Sequence, residues 1–229
     1  MITHHSHVTA TGTVLTLGVS CLFAEFAGYW LHRLLHSDKL PALSQGHLIH
    51  HFLMYGPSQA MRHDEYRDAT NNRFSVGNVG LEWLVPSTLI LFFCWGIMFE
   101  AGVPPFYQAL SFAILVAWPV FMFSYLHDRM HLRNFWMART PLIKIWFCNA
   151  RRLHEIHHRA MNDEGRMEAN FGIGFFWFDR LFGTLGRRHQ PFNWSGFEAA
   201  IQRYGLLEHD GKLEHCTEAR IHAALDKHA

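Results

Sequence analysis

The sequence predicts an all-α protein, a membrane helical bundle of about three spans with a helical cap on the cytoplasmic side. Three observations predict it. Apolar and charged residues are segregated into long stretches. The 20 Lys and Arg avoid the apolar stretches and lie on one side of them. Most of the 19 histidines fall in clusters at helical spacing that follow those stretches directly.

The mean hydropathy of −0.02 is that of a soluble chain, but the average conceals the segregation. The first apolar stretch, residues 12–31, contains Glu25, whose charge is costly in hydrocarbon unless it lies near an end or faces other helices. The second covers residues 79–99, with Glu82 near its start and Glu100 just beyond it. The third, residues 103–126, carries no charge. At about 1.5 Å per residue it is long enough to cross a hydrocarbon core of about 30 Å. Gly102, Val103, Pro104 and Pro105 would turn the chain between the second and third.

Five of the Lys and Arg lie between Arg33 and Arg73 and the other fifteen between Arg129 and Lys227. Three crossings would therefore leave the N-terminus and the turn near Glu100 outside, with residues 32–78 and 127–229 in the cytoplasm. No basic segment precedes the first stretch, so no cleavable signal is expected. At 229 residues the chain reads as one domain.

The net charge of +1 and the lack of a basic stripe exclude nucleic acid as a partner. Cys21, Cys94, Cys148 and Cys216 form no CxxC pair and read as free thiols. Residues 133–168 have helical composition interrupted at Pro141, and Gly172, Gly174, Gly183 and Gly186 mark turns among aromatics. The aromatic run 171–182 reads as packing, and the tail 187–229 carries no chemical motif.

Four clusters hold ten histidines: His32 and His36; His47, His50 and His51; His127 and His131; His154, His157 and His158. Positions i, i+3 and i+4 share a helix face, so HxxxH presents two imidazoles to one point and HxxHH three. Chance placement at this histidine content gives only about 0.1 HxxHH matches, and the chain has two, each preceded by HxxxH. The ten are expected to be metal ligands. They are too many for one ion and suit two ions with four or five ligands each, although imidazole accepts zinc, copper, iron or nickel alike. His4, His5, His7, His189, His209, His215, His222 and His228 read as solvated or structural, and His63 as an extra ligand or a bystander. Ligating imidazoles commonly donate their other N–H to a carboxylate or carbonyl. Asp128, Glu155, Glu168 and Asp179 are candidates for that role, the alternative being that Asp128 and Glu155 lie on the solvent side of their helices and Asp179 pairs with Arg180 or caps a turn; Asn170 is a candidate for holding a ligand or a loop.

These clusters, with Asn170-Phe-Gly and the segment from Trp177 through Asp179 to Gly183-Thr184, resemble the fatty acid hydroxylase superfamily, also called the sterol desaturase family. The resemblance covers about residues 26–185. It implies an integral-membrane enzyme with two iron ions and dioxygen as co-substrate. It also implies a lipid substrate and an external electron donor, such as a cytochrome b5-like protein, a ferredoxin or a reductase. The product would be an alcohol or an alkene, and the enzyme would sit in a bacterial inner membrane or the endoplasmic reticulum. The sequence departs from the family in having three clear spans where relatives commonly have more, and no fused cytochrome b5 domain. No catalytic residue beyond the metal centre is identified. A haem-type electron carrier or a metal transporter would need histidines within the apolar stretches, which contain none.

Overall fold

The computed structural model describes residues 8–37, 39, 44, 47–48, 50–54, 81–132, 134–188 and 191–203. The isolated histidines 4, 5, 7, 63, 189, 209, 215, 222 and 228, Cys216, the start of the second apolar stretch and most of the tail lie outside them. Among the described residues the regular structure is helical, and an isolated β-bridge pairs Met161 with Met167.

The helix α1 spans Ala10–Leu35 and is capped by Thr9, whose hydroxyl accepts the Gly12 N–H at 3.0 Å. It extends beyond the apolar stretch, so His32 stands on the same continuous helix as the span. The helix α2, Leu81–Glu100, ends in a turn where Gly102 takes φ +66, a conformation that glycine adopts without a Cβ penalty. Pro105 then occupies the first turn of α3, Pro105–Pro119, where a missing N–H costs nothing.

The chain continues without a break through a π-helical stretch, Val120–Leu126, into the short α4, His127–Met130. The wider i→i+5 turn resets the face on which the following residues stand. Pro119, which cannot donate the α-type hydrogen bond, sits at this change of pitch.

Ala10–Leu35 and Pro105–Met130 are each long and apolar enough to cross a membrane, and Val85–Glu100 is a shorter apolar helix. Their apolar windows are only 28% and 22% buried in the long pair, unlike core helices of a soluble protein. Leu15, Val19 and Leu22 of α1 and Phe92, Phe93 and Ile97 of α2 face outward, as lipid-facing residues do. The polar contacts turn inward. The Ser20 hydroxyl donates to Ser111 at 3.0 Å, and buried Glu25 accepts the Trp118 indole N–H at 2.7 Å, so the charge in the first span faces α3. Gly28 lets α1 approach the π-helical stretch that continues α3, since a Cβ there would collide with the Phe123 ring.

Pro141 starts a helix instead of interrupting one: α5 runs Pro141–Arg159, preceded by a single 3-10 turn at Trp136–Ala138. Phe147, Ala150, Leu153 and Ile156 bury one face, and His154, His157 and His158 lie on the same side. The short α6, Trp177–Leu181, and α7, Trp194–Arg203, follow. One apolar core joins Met122, Leu126 and Met130 to Phe147 and Leu153, and a second joins Tyr29 and Phe52 to Phe171, Phe197 and Ile201. The aromatic run divides accordingly: Phe171 and Phe176 are buried, whereas Trp177 and Phe182 are exposed.

Candidate metal centre

Helical spacing sets the ligand directions locally. His32 lies in the last turns of α1, with His36 just past its end. His50 and His51 open a second π-helical turn, His50–Met54. His127 starts α4 and His131 follows its last residue, while His154, His157 and His158 stand in the last two turns of α5.

The structure brings all ten together as two sets of five. One set is His32, His36, His47, His51 and His157; the other is His50, His127, His131, His154 and His158. Within each set one nitrogen per ring lies within 4.8 Å of all the others. The sets cross the sequence halves. Each takes an HxxxH pair and the outer histidines of the neighbouring HxxHH, then borrows the middle histidine, His157 or His50, from the other half. Nine of the ten rings are buried and His50 is partly so.

Ring nitrogens face one another at short range. His36 Nε2 lies 3.0 Å from His47 Nε2 and 3.1 Å from His157 Nε2. His131 Nε2 lies 3.2 Å from His50 Nε2 and 3.1 Å from His154 Nε2, which is 3.1 Å from His158 Nε2. One proton can bridge two such nitrogens but not three, because a ring nitrogen is donor or acceptor at any moment. For ligands about 2.1 Å from an ion, right-angled neighbours lie about 3.0 Å apart and tetrahedral ones about 3.4 Å. The observed spacing fits the first arrangement. Among the described residues His32 Nε2, His127 Nε2 and both nitrogens of His51 are buried without a hydrogen-bond partner, a costly state that an ion at one nitrogen of each ring would relieve.

Burial first, and then the neighbouring imidazoles, hold His47, His50, His51, His154 and His158 well below the ordinary imidazole range. Burial lowers His157 to about 4 against the pull of its hydrogen bond to Ala169. The rings are therefore neutral, the form that binds metal.

The candidates for orienting these rings divide sharply. Glu155 pairs with Arg159 at 3.1 Å, the solvent-side alternative for this residue: it faces away from the ligand side of α5. Glu168 is exposed, and the Asp128 carboxylate makes no hydrogen bond to a histidine ring among the described residues. Two backbone carbonyls act instead. Phe171 O accepts from His32 Nδ1–H at 2.7 Å and Ala169 O from His157 Nδ1–H at 2.6 Å.

Asn170, between them, holds the loop. Its amide donates to Leu153 O and Gly186 O, both at 2.9 Å, and its oxygen accepts the Gly186 N–H. It takes φ +59, which asparagine tolerates better than most residues. Asp179 is buried and gathers the N–H groups of Phe171 and Gly172. Burial pushes its carboxyl up from the ordinary value while these donors and Thr184 pull it down. No side-chain pattern encodes the two carbonyls, and the Asn170-Phe-Gly signature was their one visible trace.

The fold and site define a membrane protein of apolar helices that carries buried polyhistidine clusters able to hold metal. The fatty acid hydroxylase family profile matches residues 17–184, most of the chain, and the protein belongs to that family, whose members are hydroxylase-type oxidoreductases that typically depend on iron. No curated protein and no solved structure gave a significant match.

Proposed function

We propose that the protein is a membrane di-iron oxygenase that uses dioxygen and electrons from a separate donor to hydroxylate a C–H bond of a lipid. The observation that carries this reading is the pair of five-histidine sets. Two adjacent ions with neutral ligands at right-angled spacing suit iron better than four-coordinate zinc. Bound iron supplies the oxygen activation and C–H cleavage. The chain's own residues fix the ligand directions, exclude water and place the substrate carbon. His32 and His157 each hold their proton on Nδ1 against a carbonyl, which leaves Nε2 for the ion.

In this reading α2 is a third crossing, the N-terminus lies outside, and the histidines sit just inside the cytoplasmic interface, where an acyl chain or sterol can enter from the bilayer. An impermeant thiol reagent on intact cells should label a cysteine placed at Thr3 and not one at Asp163. The main test compares lipid extracts from cells expressing the wild-type protein and His154→Ala, grown with excess iron. A lipid gaining one oxygen only with the wild-type protein supports hydroxylation, whereas one losing two hydrogens identifies a desaturase on the same scaffold. Identical extracts, with no iron in the purified protein, would refute the reading.

A further inference from the structure

Ten imidazoles bring no negative charge to the ions they would hold, and no carboxylate belongs to either set among the described residues. Anionic character reaches the site through the backbone. Asp179 is fully buried, and its Oδ2 accepts the Gly172 N–H at 2.7 Å. The carbonyl of that same peptide unit, Phe171 O, accepts the proton on His32 Nδ1 at 2.7 Å. A carbonyl can only accept, so His32 carries its proton on Nδ1 and its lone pair on Nε2, a buried atom with no hydrogen-bond partner among the described residues.

We infer that Asp179 is a positioning residue for the metal site of His32, His36, His47, His51 and His157, acting on His32 through the Phe171–Gly172 peptide. The inference rests on the metal-centre reading above. A carboxylate drawing on the peptide N–H makes its carbonyl oxygen more negative and a better acceptor for Nδ1–H. The imidazole then becomes a firmer and more basic ligand at Nε2. It is a carboxylate–histidine–metal arrangement with one peptide inserted.

The surroundings are built for this series. A Cβ on Gly172 would stand 2.8 Å from Asp179 Oδ2 and 2.5 Å from Phe175 O, so only glycine admits the contact. The other oxygen, Oδ1, accepts the Phe171 N–H at 2.7 Å and the Thr184 hydroxyl at 2.8 Å. That hydroxyl lies 3.1 Å from the Tyr29 hydroxyl, less than one turn before His32 on α1. A second peptide repeats the logic: the Asn170 N–H donates to Thr184 O at 2.9 Å, and Ala169 O of the same unit accepts from His157. His32 and His157 belong to one set.

The test uses the full chain in detergent, loaded with ferrous iron-57 without oxygen. Asp179→Asn keeps the size but removes the charge. One of the two ions should leave to a chelator about 10- to 100-fold faster and shift its Mössbauer spectrum, while the other keeps its rate and spectrum. Thr184→Val removes a donor to Oδ1 but leaves the series to His32 intact. It should lower the thermal midpoint without changing iron release. Loosening of both ions equally, or of neither, by Asp179→Asn would overturn the inference. So would Thr184→Val acting like Asp179→Asn, since the carboxylate would then be a fastener of the fold.

If Asp179→Asn does not fold, the wild-type protein decides. Hydrogen exchange at the Gly172 amide should be slower with iron than after chelation, because metal on Nε2 strengthens the Nδ1–H donation; exchange indifferent to iron overturns the inference. A wild-type protein that holds no iron overturns this inference and the metal-centre reading together. Two firmly bound ions with an unaffected Asp179→Asn variant overturn this one alone.

Discussion

The two five-histidine sets are built from the same parts and supported differently. Each has an HxxxH pair, the outer members of an HxxHH and one borrowed middle histidine. In the set containing His32, two rings are steered by carbonyls of the loop after α5. The set containing His127 takes four of its five rings from the end of the third apolar stretch and from α5, where the π-helical stretch sets the phase. Equal ligand chemistry is thus delivered by a clamped loop in one case and by helix pitch in the other, and the two should respond to different perturbations.

The crossing of the borrowed histidines gives the sharpest test. His157→Ala should weaken the ion shared with His32, and His50→Ala the ion shared with His127, each with at least about a 100-fold loss of turnover. Iron content and Mössbauer spectra of the two variants would show which ion is affected. If His157→Ala disturbed the same ion as His154→Ala, the crossing would be wrong.

Breaking the clamp comes next. Asn170→Ala strands two carbonyls and one N–H and puts alanine at φ +59. A loss of about 3 kcal/mol or more is expected, read from thermal unfolding, with the His32 ion released first. Gly28→Ala acts on the helices instead, overfilling the contact with Phe123 at a cost of about 1–3 kcal/mol.

Acid should act on the metal-free protein through the rings. His157 has its folded pKa lowered from 6.5 to about 4, so the unfolded chain takes up the proton first as pH falls. Its contribution is complete above about pH 6.5 and is lost between there and about pH 4. Thermal midpoints that rose on acidification across this window would contradict the buried, neutral rings. The smallest effect is expected of Glu155→Ala, since its half-exposed pair with Arg159 contributes no more than about 0.5 kcal/mol.

Much of this site was legible because helical period and histidine spacing are properties of the chain itself. All ten clustered histidines converge, and the turn at Gly102 lies where the proline and glycine pattern puts it. The exchange of His50 and His157 was not legible, since spacing tells which rings share a face but not which facing helix they meet. The side taken by Glu155 stayed open for a related reason. Adjacency to His154 in sequence places it on another side of α5, where Arg159 lies one turn on. Asn170 and Asp179 stood out by motif, yet their action runs through backbone atoms that every residue possesses. The π-helical stretch at Val120–Leu126 follows Pro119 but is otherwise unmarked in an apolar run that suits either pitch.

The crossing also bears on how the protein is made. When the ribosome has finished His51, four of the five nitrogens of one set exist, but the fifth arrives only after α2, α3 and most of α5 have been synthesised. The second set likewise depends on a partner, His50, translated long before the rest of it. Neither half of the polypeptide can assemble a complete set alone, so in the proposed reading metal loading would follow synthesis of both, and a chain truncated before α5 would leave both sets incomplete.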